Sequence, residues 1–361
     1  MLADRDGVLE TWRNPLHALS WLEQDVRARP RGARWIGYLS YDLGRLFESL
    51  PATVRDDLEL PLFAFALVRP NQEPVALVGG KTGSGAIFSS TFTRESYCEA
   101  VARTIEYIRS GDVFQVNLSQ RLTAVTDQTP AMIYHRLAAN TPAWYGAFLD
   151  FGDHALLSNS PELLLHVRPD RRVITRPIKG TRPLGPGMEA ELRRSIKDQA
   201  ELNMIVDLER NDLGRVCQTG SIRVTEPRVI EAHPTLYHGA ATIEGVLRKD
   251  VGLVDLLRAT FPGGSVTGAP KIRAMQIIEE LEPVRRGPYC GAIGYLATDG
   301  TIQFNVAIRT MIAKGNQIHI PVGGGIVADS EPAAEYEETL VKARAMVAAL
   351  GLNNVGGAEN L

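Results

Sequence analysis

In this 361-residue chain, reactive chemistry is most sharply implied by the stretch Thr175-Arg176-Pro177-Ile178-Lys179-Gly180-Thr181-Arg182-Pro183. Pro177 fixes φ and lacks a backbone donor, so the segment reads as a strand end or edge rather than a helix. Gly180 lets the backbone turn or approach a ligand closely. Lys179 is held between these two positions. A lysine so confined can be a nucleophile once its amine loses its proton. Its pKa must then come down from about 10.4 to roughly 8. Burial and the flanking cations Arg176 and Arg182 push that way. The plainer alternative is a solvated turn lysine.

Two helical stretches carry acids three residues apart, Asp198 with Glu201 and Glu335 with Glu338. That spacing puts both carboxylates of a pair on one helix face. Two such faces, opposed, make an oxygen-rich site for a hard cation; magnesium suits few carboxylates plus waters and a ligand oxygen. Solvated helix faces, with Glu338–Lys342 as an i,i+4 pair, give the same pattern. The run Pro262-Gly263-Gly264-Ser265-Val266-Thr267-Gly268-Ala269-Pro270-Lys271 leads into an apolar-striped helix over 267–281, with Thr267 as its N-cap. Such an entry can hold an anion, although the spacing is not that of a P-loop. Gly323-Gly324-Gly325 follows a strand and could offer consecutive N–H groups to a carboxylate, or be a flexible turn. Along a strand over 302–312, Gln303, Asn305 and Arg309 share a face. Arg309 could clamp a carboxylate there, or be a surface arginine. Glu162, in Ser160-Pro161-Glu162, is a lone acid at a strand start and a general acid if burial raises its pKa. His238 could position or exchange a proton, or be structural.

The elements that must position these residues run in irregular order. Helices are expected at 14–28, from the Thr93 cap to Ser110, over most of 187–213, at 252–260 and at 332–350. Strands are expected at 35–41, 62–68, 75–79, 143–151, 154–158, 162–168, 172–178, 221–226, 236–247, 289–298, 302–313 and 316–322. Over 113–122 the residues alternate, and Gln115, Asn117, Ser119 and Arg121 share one side, facing solvent or lining a polar pocket. Strand runs without regular βαβ alternation argue for an α+β architecture of antiparallel sheets. The Gly/Ser/Thr-rich segment 81–91 reads as a linker.

Hydrophobic content of 44% and charged content of 22% are ordinary for a globular chain. The length suggests two domains or one large layered one. A formal net charge of -3 lacks the footprint of a nucleic-acid binder, so an anionic substrate needs a local device. Cys98, Cys217 and Cys290 are odd in number and form no CxxC, which points to a reduced, cytoplasmic setting. Met1–Glu10 has no apolar signal core, and no run of about 18 apolar residues suggests a membrane span.

Taken together, Gly111–Arg121, Ser160–Glu162, Arg176–Pro183, Glu201–Arg215, Phe261–Lys271 and Gly323–Ser330 resemble the chorismate-utilising family. This family comprises the large subunits of anthranilate and aminodeoxychorismate synthases and their isochorismate and salicylate relatives. The resemblance covers nearly all of 90–350. It implies a large antiparallel β-sandwich with helices packed outside, and a catalytic domain over 92–355 behind a shortened N-terminal region, 1–80. Family members carry a further stretch of about 80 residues before this chain's start, far more than a connecting loop, so early sandwich strands are expected to be missing.

The same resemblance implies the site. Lysine at 179 marks the aminodeoxychorismate synthase branch, where anthranilate synthases carry alanine, and 40–51 also resembles that branch. Isochorismate and salicylate synthases carry a water-activating lysine at the position of Gln115. Magnesium on Glu201 and Glu338, with Asp198 and Glu335 reaching through water, would hold the ring carboxylate of chorismate. Arg309, Tyr295 and the 323–325 backbone would hold the enolpyruvyl carboxylate, and Gly180, Thr181 and Thr267 would line the substrate. Lys179 would attack C2, Glu162 would protonate the departing C4 hydroxyl, and His238 would assist. The chain has no Gly-x-Cys-x-Gly elbow, so ammonia is expected from a separate glutamine amidotransferase subunit.

Overall fold

The computed structural model describes residues 2–4, 7–51, 53–69, 87–233 and 236–352. A short pair, β1 (Leu2–Asp4) and β2 (Gly7–Glu10), precedes α1 (Pro15–Ala28), which Asn14 caps. Strands β3 (Arg34–Leu39), β4 (Phe63–Val68) and β5 (Ile87–Ser90) follow. Helix α2 (Arg94–Arg109) opens on a capping box between Thr93 and Ser96 and buries the stripe Tyr97, Val101 and Ile105. Next come β6 (Gln115–Val125), α3 (Pro130–Asn140), β7 (Tyr145–Asp150), β8 (His154–Ser160), β9 (Leu163–Val167), β10 (Arg172–Arg176) and β11 (Ile178–Pro183). Helices α4 (Met188–Arg194) and α5 (Ile196–Gly214) lead to β12 (Arg223–Ala232) and β13 (Leu236–Val246). The chain then forms α6 (Leu253–Thr260), β14 (Gly268–Ala269), α7 (Lys271–Leu281) and β15 (Ala292–Ala297). It closes with β16 (Ile302–Val306), β17 (Thr310–Lys314), β18 (Gln317–Ile326) and α8 (Pro332–Ala349).

Two antiparallel sheets carry the fold. The nine-stranded sheet runs β11-β13-β10-β9-β16-β15-β3-β4 with β12 beside β13, and the seven-stranded one runs β14-β6-β18-β17-β8-β7 with β5 beside β6. Tyr38 and Ile293 from the first meet Leu156 and Ile312 from the second in one apolar cluster, so the sheets pack face to face. The outer face of the nine-stranded sheet is buried by α1, α5 and α6, and that of the other by α2, α3, α7 and α8. This is the expected α+β sandwich with helices outside. Among the described residues no helix is long and apolar enough to cross a membrane.

Several local expectations are corrected. The strand expected over 302–313 is two strands in different sheets, and the chain crosses at 307–309. A parallel crossing takes β8 into β9 at Pro161-Glu162. The two crossings are bonded together: Ser160 Oγ donates to Val306 O at 2.6 Å and Val306 N–H donates to Glu162 O at 3.0 Å. The polar side of β6 does not face solvent. Gln115, Asn117, Ser119 and Arg121 are all buried; Ser119 Oγ donates to Glu282 Oε1 at 2.7 Å, and Arg121 pairs with Asp57. Residues 87–90 of the expected linker form β5 against β6, while the strand expected at 75–79 lies outside the described residues. Helix α3, capped by Thr129 with Pro130 at its start, had no counterpart in the sequence reading because only Ile133 and Leu137 form its buried stripe.

Candidate active site

Lys179 leans from β11 toward β18. A Cβ on Gly325 would stand 3.2 Å from Lys179 Nζ and 3.1 Å from Gln115 Nε2. Any side chain at 325 would therefore displace the amine. Burial pulls the Lys179 pKa down, and Lys342 adds to this, while Glu201, Glu162 and Glu338 oppose it. The flanking arginines are not the cause expected. Arg176 is neutralised by Glu231 at 2.6 Å, and Arg182 by Glu191 at 2.8 Å and Asp198 at 3.2 Å. Gly180 has φ +83°, and a Cβ there would lie 2.7 Å from Leu192 Cδ1 and 2.8 Å from Asp198 Cγ. Packing against α4 and α5 thus fills the space that glycine leaves, and the positive φ turns the strand just after Lys179.

Glu162 sits at the crossing into β9 and is 4% exposed. Burial pushes its carboxyl up to about 7, although Ser265, Lys179 and the Ile178 N–H act against that. His238 lies opposite Thr181 on β13, and its Nδ1 is 2.9 Å from Thr181 Oγ1. Among the described residues its buried Nε2 has no well-formed hydrogen-bond partner, although the Gly180 backbone acts on the ring. Burial, Arg309 and His233, whose ring centroid is 5.0 Å away, push the imidazole down to about 3. His238 is therefore neutral near pH 7 and can share a hydrogen bond, but it brings no charge of its own. Arg309 stands at the second crossing with φ +49°, and burial lowers its pKa. Among the described residues no carboxylate pairs with it.

The glycine triplet is not a turn. Gly323, Gly324 and Gly325 lie within β18 opposite Ser119, Leu118 and Asn117 of β6. Lys342 Nζ donates to Gly323 O at 2.8 Å, so that carbonyl points away from β6. In an antiparallel strand a residue's N–H and C=O point the same way, and alternate residues agree. The free donors are thus Gly323 and Gly325, alternate rather than consecutive. A Cβ on Gly324 would meet Glu335 Oε2 at 3.1 Å. Gly325 thus gives Lys179 a flat floor on one face of β18, and Gly324 makes room for Glu335 and Lys342 on the other.

The two acid-bearing helices do oppose each other. Glu201 on α5 is raised by burial first, and Lys179, Lys197, Asp198 and Glu338 all act on it. Burial also works against charge on Glu338, but Lys342, Lys179 and Lys197 outweigh it and hold that carboxyl below its usual value. Glu335 accepts from Ser330 Oγ at 2.6 Å and is raised mainly by burial. Lys342 pairs with Glu338 at 2.7 Å. Among the described residues no three acids, histidines or cysteines converge on one point. Two facing carboxylates that repel one another are still a fit for magnesium, which keeps several waters.

Two expected residues are placed differently. Thr267 is not a helix cap: it is fully buried, its Oγ1 donates to Gly263 O at 2.9 Å, and α7 begins only after Pro270. Tyr295 lies under the Arg34 guanidinium, 4.7 Å from its ring centroid, near the β15 end where Ala297 faces Arg34. The crossing at 307–309 lies beyond the other end, where Ala292 faces Val306. Tyr295 is not brought to the cluster. Sequence reasoning missed Ser265 and Glu209, whose polar types gave no hint of burial, and it read Lys342 only as the partner of Glu338.

The family described as chorismate binding enzyme matches residues 78–348. Anthranilate synthase component 1 of Thermus thermophilus is 41% identical, over 95% of this chain and 84% of that protein. Aminodeoxychorismate synthase component 1 of Klebsiella aerogenes is 42% identical, over 85% of this chain and 75% of that protein. The crystal structure of anthranilate synthase component I from Streptococcus pneumoniae TIGR4 superposes with a TM-score of 0.80 at 32% identity, covering 92% of this chain and 85% of that one. The isochorismate synthase MenF from Escherichia coli shares the fold at a TM-score of 0.74 and 21% identity, over 95% and 84% of the two chains. This chain belongs to the chorismate-utilising enzyme family.

Proposed function

We propose that this protein aminates chorismate at C4 to 4-amino-4-deoxychorismate, the precursor of 4-aminobenzoate in folate synthesis. One observation carries the reading: an amine of lowered pKa at position 179, beside a carboxyl held up to about 7 at position 162. The family resemblance places alanine at 179 in anthranilate synthases, which need no such nucleophile. Glutamine at 115 lacks the basic nitrogen that water-adding relatives use.

The uncharged Lys179 amine attacks ring C2. Both ring double bonds shift, and the C4–O bond breaks with its electron pair moving to oxygen. Glu162 gives that oxygen its proton, and water leaves. Ammonia then adds at C4, both double bonds shift back, and the C2–Lys179 bond breaks. One hard displacement becomes two easier ones. Arg309 and the N–H groups of Gly323 and Gly325 hold the enolpyruvyl carboxylate, and neutral His238 orients the substrate through its Nε2. Glu201 and Glu338 would hold magnesium, with Asp198 and Glu335 through water; when bound, it supplies divalent charge for the ring carboxylate. A separate glutamine amidotransferase supplies ammonia in this reading.

The test is product analysis by mass spectrometry after incubation with chorismate, magnesium and ammonium. Aminodeoxychorismate is expected from the intact protein, with a fall of at least about a hundredfold for Lys179→Ala. Anthranilate fluorescence without any added lyase would assign the protein to anthranilate synthesis instead. Unchanged turnover by Lys179→Ala would remove the covalent step.

A further inference from the structure

In the proposed reaction Glu162 must be protonated at the start of each turnover, yet it is walled off from bulk water. The turn at 263–265 links it to a second buried acid. The Ser265 hydroxyl, 7% exposed, acts on Glu162 but has no well-formed hydrogen-bond partner. A Cβ on the neighbouring Gly264 would lie 3.8 Å from Glu209 Cγ. Glu209, on α5, is 7% exposed, and among the described residues no cation pairs with it. Its Oε2 accepts from Thr175 Oγ1 at 2.8 Å, which leaves Oε1 to carry a proton.

A cavity of about 10 Å³ is lined by Thr175, Glu209, Asp212, Thr260 and Gly264, among others. That is room for one water, with polar partners on several sides. Asp212 follows Glu209 by three residues on the same helix face. It accepts from Lys271 Nζ at 2.5 Å, and Lys271 also donates to Thr260 O at 3.1 Å. Asp212 and Lys271 both line a second pocket of about 780 Å³, whose wall includes Phe114, 70% exposed. Buried polar groups thus extend from Glu209 to an outer face of the protein, and the charge of Glu162 reaches Glu209 from the other side.

We propose that Glu209 is a positioning residue that returns a proton to Glu162, drawing it through the one-water cavity from the Asp212–Lys271 pair. After Glu162 protonates the departing oxygen, its carboxylate takes the Glu209 proton by way of the Ser265 hydroxyl and the cavity water. Glu209 is refilled through the Asp212 carboxyl, which takes up a proton from water in the outer pocket. The surplus proton on the nitrogen added at C4 leaves through the substrate's own opening, so one proton enters and one leaves per turnover. Burial, with the charge of Glu162 and Asp212, keeps Glu209 protonated to about 8, while Lys271 acts in the opposite sense. Glu162 faces Lys179 and, more weakly, Cys290. The store is therefore full near pH 7 when Glu162 is spent.

The test rests on the amination reading and separates the two. Steady-state amination with ammonium is measured in H₂O and D₂O for wild type, Glu209→Gln and Thr175→Val. Glu209→Gln should lose about tenfold or more in kcat, keep its KM for chorismate, and show a larger solvent isotope effect. Thr175→Val, which keeps the acid but frees it from its anchor, should fall between. Should Glu209→Gln fail to fold by circular dichroism, Asp212→Asn carries the same expectation. Wild-type kcat in Glu209→Gln, or a loss confined to KM with an unchanged isotope effect, overturns the relay alone. A wild-type protein that leaves chorismate untouched overturns the reaction and the relay together.

Discussion

Glutamine at position 162 should make the protein more stable at neutral pH while stopping its chemistry. In the unfolded chain this carboxyl ionises near its ordinary value of 4.5; in the folded chain burial holds the proton until about 7. Between those values the unfolded state carries the charge and the folded state carries the proton. Folding is therefore penalised progressively as pH rises, by about 1.4 kcal/mol per pH unit. Over the interval from 4.5 to about 7 the penalty comes to roughly 3 kcal/mol, absent below pH 4 and complete above pH 8. Glu162→Gln cannot ionise and escapes the loss. Denaturant unfolding of both proteins across pH 4 to 8 is the assay. The variant's stability relative to wild type should grow by about 3 kcal/mol across that range, whatever the offset at pH 4. Amination should fall by about a hundredfold or more in the same variant. Parallel stability curves would mean that the carboxyl is solvated and ionised like any surface acid, and the assignment of Glu162 as proton donor would go with it.

Two further outcomes test the floor and the cation site. Gly325→Ala puts a methyl 3.2 Å from Lys179 Nζ and 3.1 Å from Gln115 Nε2. Because the flexible lysine end can give way, thermal stability should hardly move, while kcat falls by about tenfold or more as the amine is displaced. Unchanged turnover would show that the amine works from another position. Glu201→Gln should weaken magnesium binding in calorimetry of the substrate-free protein by about tenfold or more. Equal affinity in the variant would exclude Glu201 as a ligand.

Much of the local structure was legible from the chain alone. Thr93 announced the start of α2, and the spacing of Tyr97, Val101 and Ile105 announced its buried face. The i,i+3 acid pairs fixed which carboxylates share a helix face. These signals are read within a few residues, since caps and helical periodicity are set by backbone geometry. The family motifs added the expected roles of Lys179 and Glu162 in the reaction, which composition and periodicity could not supply.

Tertiary structure decided the rest. Nothing near residue 307 in the chain says that one strand ends in the first sheet and the next begins in the second, yet that crossing fixes Arg309 and binds the Glu162 crossing beside it. The polar row of β6 reads as solvent-facing until Ser119 meets Glu282 and Arg121 meets Asp57, partners 163 and 64 residues away. Gly323–Gly325 reads as consecutive N–H donors or a turn until β6 pairs with it. Local sequence sets the conformation of a segment, but burial and electrostatic surroundings are set by whatever packs against it. A lysine's proton affinity therefore depends on neighbours that only the folded chain assembles.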